Sequence, residues 1–458
     1  MNFRYVAFIF FAVISSFCFG QTFGPKQIIN PEPSTVRMIR TADFDNDNDI
    51  DIVVAAFDFI TWYRNDGHGN FSTPIVIQEG MLQSFSLTPT DLNGDDDIDL
   101  VVSYFDDGII AWYRNEGEGN FGELREITSG SIGIYNGVVA EDLDGDDDND
   151  IVLGIGNGNG LYWYENTAGN GFFWDEHIID VGISEARIQD VGDIDGDSDI
   201  DILTNGSNGG TRISWYENTD GLGTFGNQTA IDITGFYEIA VYLVDIDGDN
   251  DLDTVSPKDE FIVWRENLDG FGNFGPTQII SDQVDGAYDV AIGDFDKDND
   301  IDIASVSVGD EDKVAWYENT DGLGNFGAQE IIDLTLISPR TIHAADLDGD
   351  GDLDLVSAAL EPGDGSRELV WYENLTILNT QDFNILDVKM YPNPAKEVLR
   401  IDSPAEITTI TIYNTMGIKL KEVTQNTSEI SLVGIPTGLL FIKIATEQGT
   451  VIQKVIKQ

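Results

Sequence analysis

The chain has 458 residues, with 83 Asp and Glu against 23 Lys and Arg and a formal net charge of −60. That charge excludes nucleic acid as a partner and opposes docking on an anionic membrane surface, because phosphates would be repelled. It favours cations or a cation-rich medium, while a hydrophobic content of 41% is enough for a large core and excludes general disorder.

Residues 1–20, "MNFRYVAFIFFAVISSFCFG", place one Arg before an apolar run that ends at Gly20. This is the pattern of a cleaved secretory signal. The run is short for a membrane span, and no other segment reads as transmembrane. The single cysteine, Cys18, lies inside it, so the mature chain is expected to have no thiol and no disulfide. Next comes "TFGPKQIIN" at 22–30, a lone strand-like run close in sequence to "NFGPTQIIS" at 273–281.

From residue 43 one unit recurs seven times. Acidic loops begin at Asp43, Asp91, Asp142, Asp193, Asp245, Asp294 and Asp346, spaced by 48, 51, 51, 52, 49 and 52 residues. Each is followed by a β-like run such as "IDIVVAA", then a tryptophan strand at Trp62, Trp112, Trp163, Trp215, Trp264, Trp316 or Trp371. A Gly-rich turn such as "DGLGNF" and a further alternating run complete most units. Four short strands in about fifty residues match a propeller blade, and seven units predict seven blades. The seventh unit lacks its last strand. The run at 22–30 can supply it and close the ring by β-pairing; the alternative is a linear solenoid. One large aromatic at a fixed place in each repeat reads as packing between blades, with sugar stacking as the alternative.

The loops read "DFDNDNDID", "DLNGDDDID", "DLDGDDDND", "DIDGDSDID", "DIDGDNDLD", "DFDKDNDID" and "DLDGDGDLD". Position 1 is Asp throughout. Position 3 is Asp45, Asn93, Asp144, Asp195, Asp247, Asp296 and Asp348. Position 5 is Asp47, Asp95, Asp146, Asp197, Asp249, Asp298 and Asp350. Position 7 is Asp49, Asp97, Asp148, Asp199, Asp251, Asp300 and Asp352, and position 9 is Asp51, Asp99, Asp150, Asp201, Asp253, Asp302 and Asp354. Two like charges about 4 Å apart cost roughly 4 kcal/mol at a surface-like effective dielectric. Alternate oxygen donors at 1, 3 and 5, a backbone carbonyl at 7 and a carboxylate at 9 resemble the start of an EF-hand loop. An all-oxygen set without His or Cys selects Ca²⁺ over zinc or copper, at about seven sites. Position 6 is Gly, Asn, Asp or Ser, residues that for the most part tolerate a left-handed bend.

These loops, with the "GNFG" turns, resemble the calcium loops of FG-GAP/VCBS repeats, the blades of integrin-α-type propellers. The resemblance spans roughly residues 22–374. It implies a seven-bladed propeller with Ca²⁺ between the first two strands of each blade.

The composition changes near residue 387. Residues 387–458 hold eight Lys/Arg and seven Asp/Glu, leaving 1–386 with a net charge of −61. Alternating runs with turns at "TMG" and "PTG" predict a small β-sandwich. Tyr391-Pro392-Asn393-Pro394, the Pro436-Thr437-Gly438 turn and the basic ending Lys454–Lys457 resemble a type IX secretion sorting domain. That resemblance implies contact with the type IX machinery and export to the medium or the outer cell surface. The expected organisation is a signal peptide at 1–20, a propeller at 21–374 with closing strand 22–30, a linker at 375–386 and a sorting sandwich at 387–458. The fold class is all-β.

Two functions follow. One is a secreted or cell-surface, non-catalytic binding or adhesion module for an extracellular glycan or protein. The alternative is a polysaccharide lyase or hydrolase on a calcium-bearing propeller. Acid–base catalysis needs one pair of carboxyls with separated pKa values, and no pair stands out among 83 acids. His68, His177 and His343 sit in different repeat contexts and read as incidental.

Overall fold

In the computed structural model the described residues are 22–31, 33, 35–80, 84–104, 108–129, 135–156, 160–208, 211–232, 238, 240–309, 311–359, 367–376, 389–403, 407–414, 419–424, 428–446 and 449–458. The expected signal peptide and Cys18 lie outside them. All regular structure among the described residues is β, and none of it is a helix long and apolar enough to cross a membrane. The chain forms two units, residues 1–377 and 378–458.

The first unit holds seven four-stranded antiparallel sheets. In blade 1 they run Val36–Ala42, Asp51–Ala56, Phe59–Tyr63 and Ile75–Glu79, each pairing with the next. The second strand is buried along its whole length. That is why the sequence there is an unbroken apolar run rather than an alternating one. The first strands of the blades are Val36–Ala42, Ser84–Thr90, Tyr135–Glu141, Ser184–Gly192, Tyr242–Val244, Ala287–Gly293 and Pro339–Ala345. They form the inner wall, and the last lies against the first.

Blades pack face to face through the aromatics. Trp62, Val53 and Ile60 of blade 1 share a core with Leu87, Leu100 and Tyr113 of blade 2. Trp371 and Val356 of blade 7 share one with Val36, Ile52 and Tyr63 of blade 1. An aromatic buries roughly 150–250 Å², so at about 25 cal/mol per Å² each contributes roughly 4–6 kcal/mol as an upper estimate. The tryptophans therefore fasten one blade to the next.

Blade 7 takes its outer strand from the other end of the chain. Gln27–Asn30 pairs antiparallel with Leu369–Tyr372, and Phe23 bridges to Asn374. Lys26 Nζ adds an ion pair to Glu368 at 2.6 Å. The ring is closed by main-chain hydrogen bonds, leaving blade 7 no open edge there.

Leu375 and Thr376, the first residues of the expected linker, belong to this unit. Leu375 N donates to Thr22 O, and Thr376 Oγ1 to Phe295 O. Residues 377–388 lie outside the described set.

The second unit is two antiparallel sheets around one core. One sheet holds Lys389–Tyr391, Val398–Asp402 and Glu429–Ser431; the other holds Lys419–Val423, Ile407–Asn414, Gly438–Thr446 and Gly449–Lys457. Leu399, Ile401 and Ile430 of the first meet Ile410, Ile412, Ile442 and Val455 of the second. The arrangement is a small sandwich.

Candidate metal centres

Each acidic loop joins the first two strands of its blade, and its backbone is bent twice the same way. Position 4 has positive φ in all seven loops, as Asn46, Gly94, Gly145, Gly196, Gly248, Lys297 and Gly349. Position 6 does too, as Asn48, Asp96, Asp147, Ser198, Asn250, Asn299 and Gly351. Left-handed backbone at a non-glycine residue is uncommon. The bends are held by the position 1 carboxylate: Asp142 Oδ1 accepts from Gly145 N at 2.7 Å and Asp146 N at 3.2 Å, and its Oδ2 from Asp147 N at 2.9 Å. Position 5 accepts the position 7 amide in every loop, as Asp197 does from Asp199 at 3.0 Å.

Position 9 is the buried anchor. Asp201 Oδ2 accepts from Ile194 N at 2.9 Å and Oδ1 from Asn218 N at 2.8 Å, a pair of bonds repeated in all seven blades. Burial nevertheless pushes these carboxyls up, to about 7 for Asp51, Asp150, Asp201, Asp253 and Asp302, about 6 for Asp99 and about 8 for Asp354.

Position 3 differs. Asp45, Asp144, Asp195, Asp247 and Asp296 each keep a buried Oδ1 with no hydrogen-bond partner. A buried anionic oxygen without a donor is costly. The adjoining side chains are themselves carboxyls: Asp43, Asp45 and Asp51, or Asp142, Asp144 and Asp146, each offer an oxygen within 4.8 Å of the others. Asp193, Asp195 and Asp197, Asp245, Asp247 and Asp253, and Asp294, Asp296 and Asp302 do the same. In loop 2 the amide nitrogen of Asn93 donates to Asp99 Oδ2 at 2.8 Å, so its oxygen is the atom left over. An all-oxygen donor set of this kind, drawn from positions 1, 3, 5 and 9, fits a cation with a preference for oxygen.

Five of the seven position 7 side chains lie against a hairpin turn. Asp49, Asp148, Asp199, Asp251 and Asp300 fold beneath the hairpin turn of their own blade, so close that a Cβ on Gly67, Gly169, Gly221, Gly270 or Gly322 would collide with them.

Sequence reasoning missed the asparagine three residues after each repeat tryptophan, the last residue of "WYRN", "WYEN" or, in blade 5, "WREN". Its amide N–H donates to the position 9 aspartate, and its side chain crosses to the preceding blade. Nδ2 donates to the position 2 carbonyl of the neighbouring loop in Asn65–Leu347, Asn115–Phe44, Asn166–Leu92, Asn218–Leu143, Asn267–Ile194, Asn319–Ile246 and Asn374–Phe295, at 2.7 to 2.9 Å. The signal was present: an Asn at one place in every repeat. A second contact runs beside it. The later turn glycines Gly69, Gly119, Gly171, Gly223, Gly272 and Gly324 seat against Trp371, Trp62, Trp112, Trp163, Trp215 and Trp264 of the preceding blades. Loops, turns and tryptophans thus form one continuous belt.

The residue before that asparagine divides the loops. In blades 1 and 2 it is an arginine. Arg64 bonds Asp45 at 2.5 Å and Asp47 at 2.8 Å, and Arg114 bonds Asp95 at 2.7 Å. In five others it is Glu165, Glu217, Glu266, Glu318 or Glu373, whose charge helps raise Asp144, Asp195, Asp247, Asp296 and Asp348. Burial is the larger cause in each case.

The histidines do not converge. His177 stacks on Trp163 at 4.3 Å and meets Glu165 at 2.9 Å. His68 is in a hairpin turn, and His343 is on an inner strand.

In the second unit the three stretches singled out in the sequence are linked. Asn393 donates to Lys454 O at 3.0 Å and accepts from Ile456 N at 2.9 Å. Lys457 Nζ donates to Ile435 O beside the Pro436 turn at 2.6 Å.

The FG-GAP-like repeat matches residues 43–102, 91–153, 193–256 and 304–357, together half of the chain. The protein belongs to the FG-GAP-like repeat family. Its residues 389–458 match the secretion system C-terminal sorting domain. This FG-GAP protein is therefore cargo of the type IX secretion route, with which its tail interacts, and is secreted or held at the outer cell surface. No curated protein matches the chain. Among solved structures, a lectin of Agrocybe aegerita that recognises non-reducing terminal N-acetylglucosamine is 18% identical, with TM-score 0.53 over 71% of this chain and 86% of the lectin. BBS1N, solved in complex with ARL6DN, is 9% identical with TM-score 0.53 over 78% and 98%. PorZ, a surface component of the type IX system of Porphyromonas gingivalis, is 12% identical with TM-score 0.47 over 95% and 61%. The likeness to the first two is one of fold.

Proposed function

We propose that this FG-GAP protein is a non-catalytic, calcium-dependent binding or adhesion module that works outside the cell. Position 1, 3, 5 and 9 side chains and the position 7 carbonyl of each loop would hold one Ca²⁺. Bound calcium supplies positive charge that offsets the mutual repulsion of the carboxylates. The chain's own residues do the rest: the position 1 carboxylate shapes the loop, position 9 ties it to the sheet, and the asparagine ties it to the neighbouring loop. Metal binding is then coupled to the closure of the ring. The observation that carries this reading is the buried, partnerless Oδ1 at position 3 in five loops.

A module that presents a rigid ring is suited to recognition, since binding residues work best on a fixed scaffold. The test has two arms. Metal analysis of the purified propeller should find calcium, and a chelator should lower its melting temperature. A glycan array should return a ligand that the protein retains without shortening. Depolymerised product would instead establish the enzyme alternative.

A further inference from the structure

The outer turn of blade 3 departs from those of its neighbours. In blades 2, 4, 5 and 6 the residue after the belt asparagine, Glu116, Thr219, Leu268 or Thr320, donates its N–H to the carbonyl of Asn120, Thr224, Asn273 or Asn325 at 3.0 to 3.1 Å. In blade 3 the same bond runs from Thr167 N to Phe173 O at 3.2 Å. The glycine seated on the preceding tryptophan, Gly119, Gly223, Gly272 or Gly324, comes directly before that polar residue. In blade 3 Gly171 is the seated glycine, and Phe172 stands between it and Phe173. Blade 3 thus inserts one phenylalanine and puts a second where its neighbours keep Asn or Thr. The inward place is filled by Trp174, which packs against its core as Phe121, Phe225, Phe274 and Phe326 do against theirs. Its Nε1 donates to Gly171 O at 3.0 Å.

With Trp174 inside, the two phenylalanines are left outside: Phe172 is 52% exposed and Phe173 64%. The turn closes in the neighbouring blades without either ring, so its geometry does not require them. Phe172 stands edge-on to Trp112 of blade 2, with centroids 6.3 Å apart and planes at 84°. Arg125, on the outer strand of blade 2 opposite Trp112, lies between the two. Its guanidinium carbon is 4.6 Å from the Phe172 centroid and 5.5 Å from that of Trp112. Rings on either side hold the planar group in place. Contact with ring faces does not use its N–H donors, which lie in the plane of the group. Among the described residues no hydrogen bond or ion pair engages its side chain.

We propose that Phe172, Phe173 and Arg125, at the joint of blades 2 and 3, form a platform that binds an uncharged glycan. A pyranose ring has one face of C–H groups, which suits the electron-rich face of an aromatic side chain, and hydroxyl oxygens at its edge that can accept from Arg125. Charge selects the neutral class. An anionic glycan would be opposed by the net charge of −60 and by the exposed Glu126 and Asp175, which follow Arg125 and Trp174 in the chain. A cationic one would meet Arg125. A neutral sugar avoids both, and its hydroxyls can accept from the arginine and donate to the carboxylates. The inference rests on the reading of the propeller as a binding module, for which it names the site and the ligand class, and it requires no particular metal.

The test uses isothermal titration of the full secreted protein with cellohexaose, xylohexaose, mannohexaose and laminarihexaose, with hexagalacturonate and the glucosamine hexamer as charged controls. Saturable binding to at least one neutral probe is expected, little changed by salt. No saturable binding to the four, or tighter binding to a charged control, overturns the assignment. Phe172→Ala with Phe173→Asn should weaken binding by at least about tenfold, as loss of an aromatic anchor does. Leu222→Ala, at an exposed residue of the blade 4 turn, should leave it unchanged. Arg125→Lys keeps the charge but loses the planar donors, and should also weaken it. Melting temperatures of the variants should stay near that of the unmodified protein, since both rings are exposed. As a check that needs no variant, the unmodified protein is labelled with phenylglyoxal, and bound hexaose should protect Arg125 in peptide maps. A hexaose that binds the variants unchanged and leaves Arg125 unprotected overturns the platform and leaves the binding-module reading standing. Platform-dependent binding with shortening of the hexaose would do the reverse.

Discussion

The side-chain amide of Asn65 donates to the carbonyl of Leu347 at 2.7 Å, across 282 residues of chain. The same nitrogen donates to Ile50 O at 2.9 Å, and the backbone N–H of Asn65 to Asp51 Oδ1 at 2.7 Å. One residue therefore ties the first acidic loop to its own sheet and to the last acidic loop. Six more asparagines do the same between consecutive blades. If the loops hold metal as proposed, the belt would link occupancy in one loop to its neighbour.

Asn65→Ala should destabilise the ring more than a surface change would. It leaves two carbonyls, at Ile50 and Leu347, without their donor, at about 1–3 kcal/mol for each buried group left unsatisfied. Removal of residues 22–30 should be worse, because Leu369–Tyr372 becomes an open edge strand. A lowered melting temperature for the first, and concentration-dependent oligomers in size-exclusion chromatography for the second, are the expected outcomes. A ringless solenoid would tolerate both.

The two arginine loops should bind calcium more weakly than the five glutamate loops. Arg64 already bonds Asp45 and Asp47, so a cation must displace it. In blade 3 Glu165 adds negative charge at the equivalent place. Calorimetric titration of chelator-stripped protein should resolve a tight class and a weak class. Arg64→Glu should move one site to the tight class, by about tenfold or more, equivalent to about 1.4 kcal/mol. A single class of sites, or weaker binding in the variant, would contradict this.

Much of this was legible in the sequence because the repeat writes the same chemistry seven times. The spacing of the Asp loops carries the blade count, and "TFGPKQIIN" points to the shared last blade. The bend at position 6 was readable from its Gly, Asn, Asp and Ser. Lys297 at position 4 was not, since lysine has no preference for the left-handed region it occupies at φ 66°. The asparagine belt was hidden for another reason. Its partners are a whole blade away, and a main-chain carbonyl has no sequence signature. Arg37, Arg40, Arg187 and Arg340 follow no motif, and only ring closure brings them to the wall of one cavity.

The pH dependence should reverse with calcium. The position 9 carboxyls lie at about 6 to 8 in the folded protein, against roughly 3.9 for a free aspartate. Without metal the folded state thus holds protons that the unfolded chain releases. That stabilisation is complete below about pH 4 and is lost as pH rises through 6 to 8. Calcium held as proposed would compete with those protons, so its own stabilisation would grow as pH rises. Melting temperatures should fall from pH 5 to pH 8 in chelator and hold or rise in excess calcium. Parallel curves would show that the two do not compete for the same oxygens.

Blade 5 replaces the repeat's tyrosine with Arg265, which is almost fully buried. In blades 4 and 7 the tyrosine hydroxyl donates to an aspartate on the preceding blade's outer strand, Tyr216 to Asp180 and Tyr372 to Asp333. Arg265 keeps that partner, bonding Asp232 at 2.8 Å, and adds Glu238 at 2.7 Å. Lys258 meets the same two acids. The substitution thus turns a hydroxyl contact into an ionic joint. Arg265→Tyr restores the repeat residue but leaves two buried acids with one lysine, and should cost about 3–5 kcal/mol, as for other buried pairs broken from one side. Adding Glu238→Gln should recover part of the loss, since one lysine then faces one acid. A double-mutant cycle read by thermal melting measures the coupling. If the two changes simply add, Arg265 and Glu238 do not act as a joint between blades 4 and 5.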